Sequence, residues 1–313
     1  MQSISPFHLT FLLLDGFSNM VLASAIEPLR AARDLSGKRL FSWQVASVDG
    51  GPAVSSSRLS LGVDIPLSRV GATDGLIVVA GYGARDHARR ETLQLVRSKG
   101  RGLPVVGGID TGAWLLAEAG LLAGRRASIH WMEAQAMAEA FPEVDVVQSE
   151  WVADGNTVTC GGAQGVLSWS LDLIGRHGDE ALRYDVANMF GRSQMRMPES
   201  GSNRMVDRAL PPGLQRAVLA MRETAENPKP LAAIAARAAL SPRTMDRLFH
   251  KHLGMAAGGY YRTIRMSHAR ALAIETGHTL DEIAARTGFS SATTLARAYR
   301  ASFGQTIRAT RRS

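Results

Sequence analysis

The sequence predicts two domains of different fold class: an α/β domain with a mostly parallel sheet over residues 1–190, and an all-α domain over residues 214–313. Three observations lead to this prediction. The first two-thirds of the chain alternate strand and helix patterns, as parallel sheets covered by helices do. The final third shows helical patterns alone. Between them, residues 191–213 are rich in proline, glycine and serine, which indicates an interdomain linker.

Most strands of the first domain are short apolar runs, as expected for strands buried on both faces. Ser18 or Asn19 can cap the first helix, and Gly120 ends the second. Strands are predicted at Phe7–Leu14, Phe41–Val48, Gly75–Ala80, Pro104–Ile109, Val144–Gln148 and Thr157–Cys160, and helices at Val21–Arg33, Gly112–Ala119, Leu167–Ile174 and Ala181–Phe190.

The second domain consists of helices separated by prolines and glycines. Pro228 and Pro230 divide the first two helices, and Pro242 opens the third, where its missing N–H costs no hydrogen bond. Helices are predicted at Leu214–Thr224, Leu231–Ala238, Pro242–Leu253, Tyr260–Glu275, Leu280–Arg286 and Ser291–Phe303.

The positive charge of the chain is concentrated in the second domain. Residues 211–313 contain 16 Lys and Arg but 6 Asp and Glu, whereas residues 1–210 contain 20 and 22. This asymmetry favours a nucleic-acid or acidic-membrane partner for the second domain. No apolar run approaches the roughly 18 residues of a membrane span, and no signal peptide is evident. A single cysteine suits a reducing compartment, so we expect a cytoplasmic protein, without membrane, metal or cofactor.

Two matched helix-turn-helix patterns form an internal repeat in the basic domain. Ile234-Ala235 and Ile283-Ala284 lie 49 residues apart, and each pair is followed five residues later by a turn. The first turn is Ala239-Leu240-Ser241 and the second is Gly288-Phe289-Ser290. One such pattern is a weak signal, because many helical hairpins share it, but two in a basic domain indicate DNA binding.

Residues from about 214 to 313 resemble the AraC-type DNA-binding domain. The motif that carries the resemblance is Gly288-Phe289-Ser290-Ser291, Arg297-Ala298-Tyr299-Arg300 and Phe303-Gly304. The departures are at packing or turn positions: Leu295 replaces the usual Phe, Ile307 the usual Pro, Thr310 the usual Tyr, and Ala239 the usual Gly.

The resemblance implies that Pro242–Leu253 and Ser291–Phe303 are recognition helices. The outward face of the first would carry Arg243, Asp246 and Arg247. Arginine can bind guanine through two hydrogen bonds, and aspartate can accept one from cytosine. A solvated helix face without function is the alternative, and for Asp246 the two interpretations are equally open.

The second recognition helix offers fewer long polar side chains. Thr293 and Arg297 face outward, and Arg300 and Ser291 can assist by contacting phosphates. We therefore expect this helix to contact few bases and mainly to anchor the DNA backbone.

The first domain contains a sharp turn between a strand and a helix, at residues 105–113 (VVGGIDTGA). Such an elbow exposes one side chain at the carboxyl edge of the sheet, where ligands of α/β proteins bind. Residues 5–190 resemble the PfpI-type, class I glutamine amidotransferase-like domain, with a flavodoxin-like fold. The matching features are this elbow, Glu27-Pro28, Ala80-Gly81, the helix end 116–120 and His130-Trp131. With the second domain, the chain resembles the GlxA family of transcription regulators.

Catalytic members of the superfamily carry a cysteine at the elbow, and here that position is Asp110. Cys160 lies on another predicted strand, as a small buried side chain. A carboxylate is a poor nucleophile towards amides, so we expect no enzymatic activity. Asp110 can instead cap the following helix, bind a ligand, or do both.

The resemblance implies a small-molecule sensor, because members of this family respond to amino acids or quaternary amines. If Glu27 and Asp110 share the sheet edge, a bound cation would relieve their repulsion. Trp114 and Trp131 could face that cation, although core packing is the alternative for both, and for His130 a structural role is the alternative. The predicted ligand-binding residues are Asp110, Glu27, Trp114, Thr111, His130 and Trp131.

Three functional interpretations follow. The first is a ligand-responsive regulator that binds double-stranded DNA and a cationic or zwitterionic effector, forms a homodimer, and has RNA polymerase as a further possible partner. The second is a hydrolase-type enzyme with an accessory DNA-binding domain. The third is a constitutive DNA-binding protein whose first domain only dimerises. Ligand binding distinguishes the first from the third, and turnover distinguishes the second from both.

Overall fold

The structure is a computed structural model that describes residues 5–191 and 210–311. Most of the predicted linker, residues 192–209, lies outside the described residues, so the proposed domain boundaries stay a prediction. The described residues form two compact units. One holds residues 5–30 and 39–173, and the other holds residues 31–38, 174–191 and 210–311.

Strands and helices alternate through the first two-thirds of the chain, as the sequence predicts. In chain order these elements are β1 (Phe7–Leu13), α1 (Asn19–Ser36), β2 (Phe41–Ser47), β3 (Ala53–Val54), β4 (Ser60–Leu61), β5 (Ile65–Pro66), β6 (Gly75–Ala80), α2 (Arg90–Gly100), β7 (Val105–Asp110), α3 (Gly112–Glu118), β8 (Arg126–Ala127), α4 (Ala134–Ala140), β9 (Asp145–Val146), β10 (Trp151–Asp154), β11 (Thr157–Cys160), α5 (Ala163–His177) and α6 (Glu180–Met189).

Seven strands form one sheet in the order β10-β11-β7-β6-β1-β2-β5. All neighbours pair in parallel except β10 and β11, so the predicted parallel sheet is confirmed. Every residue of β6 is buried, as expected for a strand covered on both faces. Ala80 at the end of β6 pairs with Asp110 at the end of β7. Their carboxyl ends therefore meet at one sheet edge.

The strand prediction at Val144–Gln148 is wrong in extent. Only Asp145 and Val146 are extended, and they pair with β8 in a separate two-stranded sheet. Asp145 is exposed, so this run could not enter a sheet that is buried on both faces. The sequence reasoning also missed α2, in which only Thr92, Val96 and Gly100 are buried and the apolar stripe is thin.

The final third is helical throughout, as predicted. Its elements are α7 (Pro212–Glu223), α8 (Leu231–Arg237), α9 (Pro242–Leu253), α10 (Ala257–Glu275), α11 (Leu280–Arg286), α12 (Ala292–Phe303) and α13 (Ile307–Thr310). Among the described residues, none of the helices combines the length and apolar character that bilayer crossing requires.

The helix α10 contributes to two separate hydrophobic cores. Tyr260 and Tyr261, near its start, pack in a core with residues of α7, α8 and α9. Met266, Ala269 and Ala273, further along, pack in a core with residues of α11 and α12. The second unit therefore contains two consecutive helix-turn-helix groups that share one long helix.

The helix α6 also packs in the core of the first group. The Asp185 carboxylate accepts hydrogen bonds from Tyr260 Oη at 2.5 Å and Arg222 Nη2 at 2.7 Å. Burial raises the pKa of this carboxyl group, and the two donors oppose that rise. Tyr260 and Arg222 thus supply hydrogen bonds to a carboxylate that would otherwise be buried without partners.

Candidate functional site

The two helix-turn-helix groups have turns of the same kind. Ala239 in the first turn and Gly288 in the second adopt left-handed backbone angles, with φ of 56° and 67°. Serines then start the recognition helices, because Ser241 accepts from the Thr244 N–H and Ser291 accepts from the Thr294 N–H. Ser291 is thus a helix cap. The φ of Ala239 places a Cβ in a conformation that costs about 1–2 kcal/mol.

Each turn is closed by an arginine that the sequence reasoning missed. Arg216 donates through Nε and Nη2 to the Ala238 carbonyl oxygen, at 3.1 and 2.9 Å. Arg265 donates to the carbonyl oxygens of Thr287 and Gly288, at 2.7 and 2.6 Å. These carbonyls lie at a helix end and lack intrahelical partners. The two arginines are separated by 49 residues, the spacing of the repeat, which is the signal that could have revealed them.

The two recognition helices bury the same face and expose the same face. Their buried side chains are Met245, Phe249 and Leu253 in α9, and Leu295, Tyr299 and Phe303 in α12. The predicted DNA-contacting residues that are exposed are Arg243, Arg247, Ser291, Thr293, Arg297 and Arg300. The structure therefore places these side chains on outward faces, where they are accessible to a duplex.

Asp246 differs from the other predicted DNA-contacting residues. Its Oδ1 accepts a hydrogen bond from the Ala257 N–H at 2.9 Å, which caps the start of α10. Its Oδ2 lies 3.6 Å from His250 Nε2. One carboxylate oxygen is thus engaged within the protein, which gives Asp246 a structural role that the sequence reasoning did not consider.

The predicted elbow is present at the end of β7. Asp110 has a left-handed φ of 61°, which is rare for a residue other than glycine. Gly112 is required there, because a Cβ at this position would collide with the Val78 carbonyl oxygen. Thr111 Oγ1 donates to the Gly81 carbonyl oxygen at 2.7 Å and fastens the elbow to the β6 turn. The helix α3 has Thr111 at its N-cap position without a side-chain cap bond, so the prediction that Asp110 caps this helix is wrong.

A cavity of about 450 Å³ opens at the elbow. Its lining includes Asp110, Thr111, Trp114, His130, Arg85 and Glu133. Asp110 is 8% exposed as a residue, and none of the described residues donates a hydrogen bond to its carboxylate. Burial raises the pKa of Asp110 from 3.8 to about 6, and the nearby His130 opposes that rise.

The ring of Trp114 faces a cation of the protein itself. The Arg85 guanidinium lies 3.8 Å from the ring centroid and forms an ion pair with Glu133. Trp114 Nε1 donates to Glu118 at 3.2 Å, and the residue is 7% exposed. Trp114 is thus both a buried residue and part of the cavity wall.

Two predicted ligand residues lie elsewhere. Glu27 is half-exposed, pairs with Arg30 at 2.7 Å, and is absent from the described residues that line the cavity. Trp131 is 77% exposed, so the core-packing alternative is wrong for it. Its ring centroid lies 5.8 Å from that of His130, beside the cavity. The structure thus brings together Asp110, Thr111, Trp114 and His130, but not Glu27.

Cys160 is fully buried on β11, as predicted. Burial raises the pKa of its thiol, so the group stays protonated and is a poor nucleophile. Among the described residues, no group of three or more His, Cys, Asp or Glu side chains could hold a metal ion.

The chain combines a parallel-sheet domain, which has a ligand-sized cavity at its elbow, with two helix-turn-helix groups. This combination is typical of DNA-binding regulators that carry both parts on a single chain. Residues 8–176 match the DJ-1/PfpI family model and residues 234–313 match the Helix-turn-helix domain model. The sequence is 36% identical over 307 residues to the HTH-type transcriptional regulator GlxA of Rhizobium meliloti, covering 96% of this chain and 94% of that protein. It is 34% identical over 306 residues to GbdR of Pseudomonas aeruginosa, covering 97% and 83%.

The crystal structure of an AraC family transcriptional regulator from Pseudomonas putida covers 59% of this chain and all of that one, with a TM-score of 0.54 at 24% identity, which supports the fold. The chain therefore belongs to the family of HTH-type transcriptional regulators that combine a DJ-1/PfpI domain with an AraC-type helix-turn-helix domain. This confirms the resemblance predicted from the sequence. It also agrees with the expectation that the chain is a regulator and not an enzyme.

Proposed function

We propose that this regulator senses a small zwitterionic or cationic metabolite in the elbow cavity and reads its operator with α9 and α12. The observation that carries the proposal is the carboxylate of Asp110, a residue that is only 8% exposed: it opens onto the cavity and accepts no hydrogen bond from the described residues. A carboxylate that is largely shielded from water and accepts no hydrogen bond from the protein is costly to ionise, so a ligand that supplies a positive charge is favoured there.

The charges of the cavity wall favour a ligand that carries both signs. Asp110 offers a site for an ammonium group, and Arg85, which already pairs with Glu133, has further N–H groups that can bind a ligand carboxylate. Because Arg85 already covers the Trp114 ring, the cation of a ligand is directed towards Asp110 and not towards that ring. An amino acid or a betaine-type quaternary amine meets both requirements.

Ligand binding can be tested with the full chain. All five tryptophans lie in the first 169 residues, so tryptophan fluorescence reports unfolding of the sensing domain alone. In a thermal-shift screen of amino acids, polyamines and quaternary amines, a ligand at about 100 times its Kd adds roughly 2.7 kcal/mol of stability.

The matched variants are Asp110→Asn, which keeps a side chain that tolerates the left-handed angles of the elbow, and, as a control, Asp145→Asn, at an exposed carboxylate. We expect the first to abolish the shift and the second to leave it unchanged. An equal shift in both variants would contradict the assigned site. A blank result across the panel would favour the alternative in which this domain only dimerises.

The DNA-reading role is carried by exposed arginines on α9. Among the described residues, Arg243 and Arg247 have no ion-pair partner, so their guanidinium groups are available to bases. We expect Arg247→Ala to lose about 1–3 kcal/mol of discrimination at one or two base pairs. Lys251→Ala, further along the same helix, is the control for a phosphate contact. A loss for Arg247→Ala that is uniform across all sequences would identify it as a phosphate contact too.

We further propose that the protein acts as a homodimer and that the effector shifts the population between two arrangements, which differ in their affinity for DNA or their contact with RNA polymerase. Sedimentation of the full chain with and without operator measures the stoichiometry. A single chain per operator would contradict the dimer.

A further inference from the structure

The two recognition helices hold equivalent positions in the repeated helix-turn-helix groups, but their outward side chains differ in chemistry. A shift of 50 residues aligns Met245 with Leu295 and Phe249 with Tyr299, and all four are buried in the same pattern. The outward positions are then aligned as well. They pair Arg243 with Thr293, Asp246 with Ala296, and Arg247 with Arg297.

At these three positions α9 carries two arginines and an aspartate that also caps α10, whereas α12 carries a threonine, an alanine and one arginine. Thr293 is exposed and Ala296 is half-buried on the same outward face. Short side chains allow a helix to approach base edges closely. Their exposed methyl groups cannot form hydrogen bonds, but they can contact the C5 methyl group of thymine.

We propose that α12 reads thymine, through contacts between the methyl groups of Thr293 and Ala296 and thymine methyl groups in its half-site, with Arg297 beside them as a long polar contact to the bases and Arg300 at the phosphates. This rests on the proposed DNA-reading role of the two helices. The operator is therefore chemically asymmetric. The half-site of α9 is read by charged donors, and the half-site of α12 by shape and methyl contact.

The energetic scale of a methyl contact makes the proposal measurable. Burying one methyl or methylene group changes an equilibrium by about fourfold. Uracil differs from thymine by that methyl group alone and keeps the same base pairing. Replacing thymine by uracil therefore removes the proposed contact and leaves phosphates and hydrogen-bonding groups in place.

The experiment uses the full chain and DNA selected by it from a random duplex library. The selected duplex is prepared with sparse uracil substitution, and bound and free fractions are compared at each thymine. We expect uracil to weaken binding by about fourfold at one or two thymines of one half-site, and to have no effect in the other. If a specific sequence is selected but uracil is tolerated at each of its thymines, the inference is wrong, whereas the DNA-reading proposal is unaffected. Selection of no common sequence would instead contradict the DNA-reading proposal itself.

Variants assign the methyl contact to a residue. Thr293→Ser keeps the hydroxyl group and removes the methyl group, so it should abolish the uracil effect at one thymine. Thr293→Arg restores the side chain found at the matched position of α9, and should change the selected base pair from thymine to guanine at that position. Arg243→Ala, on the other helix, should weaken binding without altering the uracil pattern. If Thr293→Ser leaves the pattern unchanged, or Thr293→Arg strengthens binding to all sequences equally, Thr293 faces the phosphates and the inference is wrong.

Discussion

Replacing Asp110 by Asn should stabilise the sensing domain at neutral pH and abolish effector binding. The substitution keeps the shape of the side chain and removes its charge. Asparagine tolerates left-handed backbone angles as well as aspartate does, so the elbow geometry at φ 61° is retained. Any change in stability then reports the cost of a buried negative charge.

The magnitude follows from the pKa of Asp110. Burial raises that pKa from 3.8 to about 6, which corresponds to about 3 kcal/mol at roughly 1.4 kcal/mol per pKa unit. Because the folded state holds the proton more tightly than the unfolded state, the wild type loses stability as pH rises from about 4 to about 6. The advantage of Asp110→Asn is therefore fully present above pH 7 and disappears towards pH 4.

The assay is urea unfolding of the full chain, followed by tryptophan fluorescence, at several pH values between 4 and 8. Wild type and variant are compared at each pH, so that the titration of all other groups cancels. Asp145→Asn, at an exposed carboxylate, is the control and should change stability by less than about 0.5 kcal/mol. An Asp110→Asn variant that is destabilised at pH 7.5, or whose advantage does not depend on pH, would refute the reasoning.

Three further predictions concern the helical unit, and circular dichroism during thermal unfolding checks each. Arg265→Ala should destabilise the unit by about 2 kcal/mol, because two carbonyl groups lose a charged donor. Arg286→Ala, at an exposed site, should have little effect, and equal effects of the two variants would mean that the turn does not need Arg265. Asp246→Ala should lower the stability by about 1 kcal/mol, because it removes the side chain that caps α10. Unchanged stability would contradict this structural role and favour the interpretation that Asp246 contacts a base. Ala239→Gly should stabilise the unit by about 1 kcal/mol and Ala238→Gly should destabilise it, since the first residue alone is left-handed; the opposite order would contradict the turn geometry.

The parallel sheet, the elbow and the paired helix-turn-helix groups could be predicted because each has a local pattern. Gly75–Ala80, Thr157–Cys160 and Leu280–Arg286 have in the structure the same bounds as in the prediction. Short or thinly apolar elements could not be predicted, because their stability comes from tertiary contacts. The hairpin of β3 and β4 and the helix α2 are of this kind.

For the candidate site, the sequence indicated which loops meet but not which side chains enter the cavity. Asp110 was identified because the elbow fixes its position. Arg85 was missed, since its place over Trp114 depends on a short turn after β6 with no motif of its own. Glu27 was included because its helix was expected to approach the sheet edge, but its side chain pairs with Arg30 on the same helix. A motif places the backbone, and the direction of a side chain depends on neighbours that the motif does not contain.

The shared helix α10 has a consequence for how target promoters can change. It spans 19 residues, about 28 Å, and it is capped by a residue of the first helix-turn-helix group while its Arg265 closes the turn of the second. If α9 and α12 read DNA as proposed, the helix that they share holds them at a fixed separation. Inserting five base pairs between the half-sites would move the second to the opposite side of the duplex, out of reach of its helix. On the proposed mode of reading, an operator can therefore change by single base substitutions within each half, whereas the phase between its two halves has to be kept.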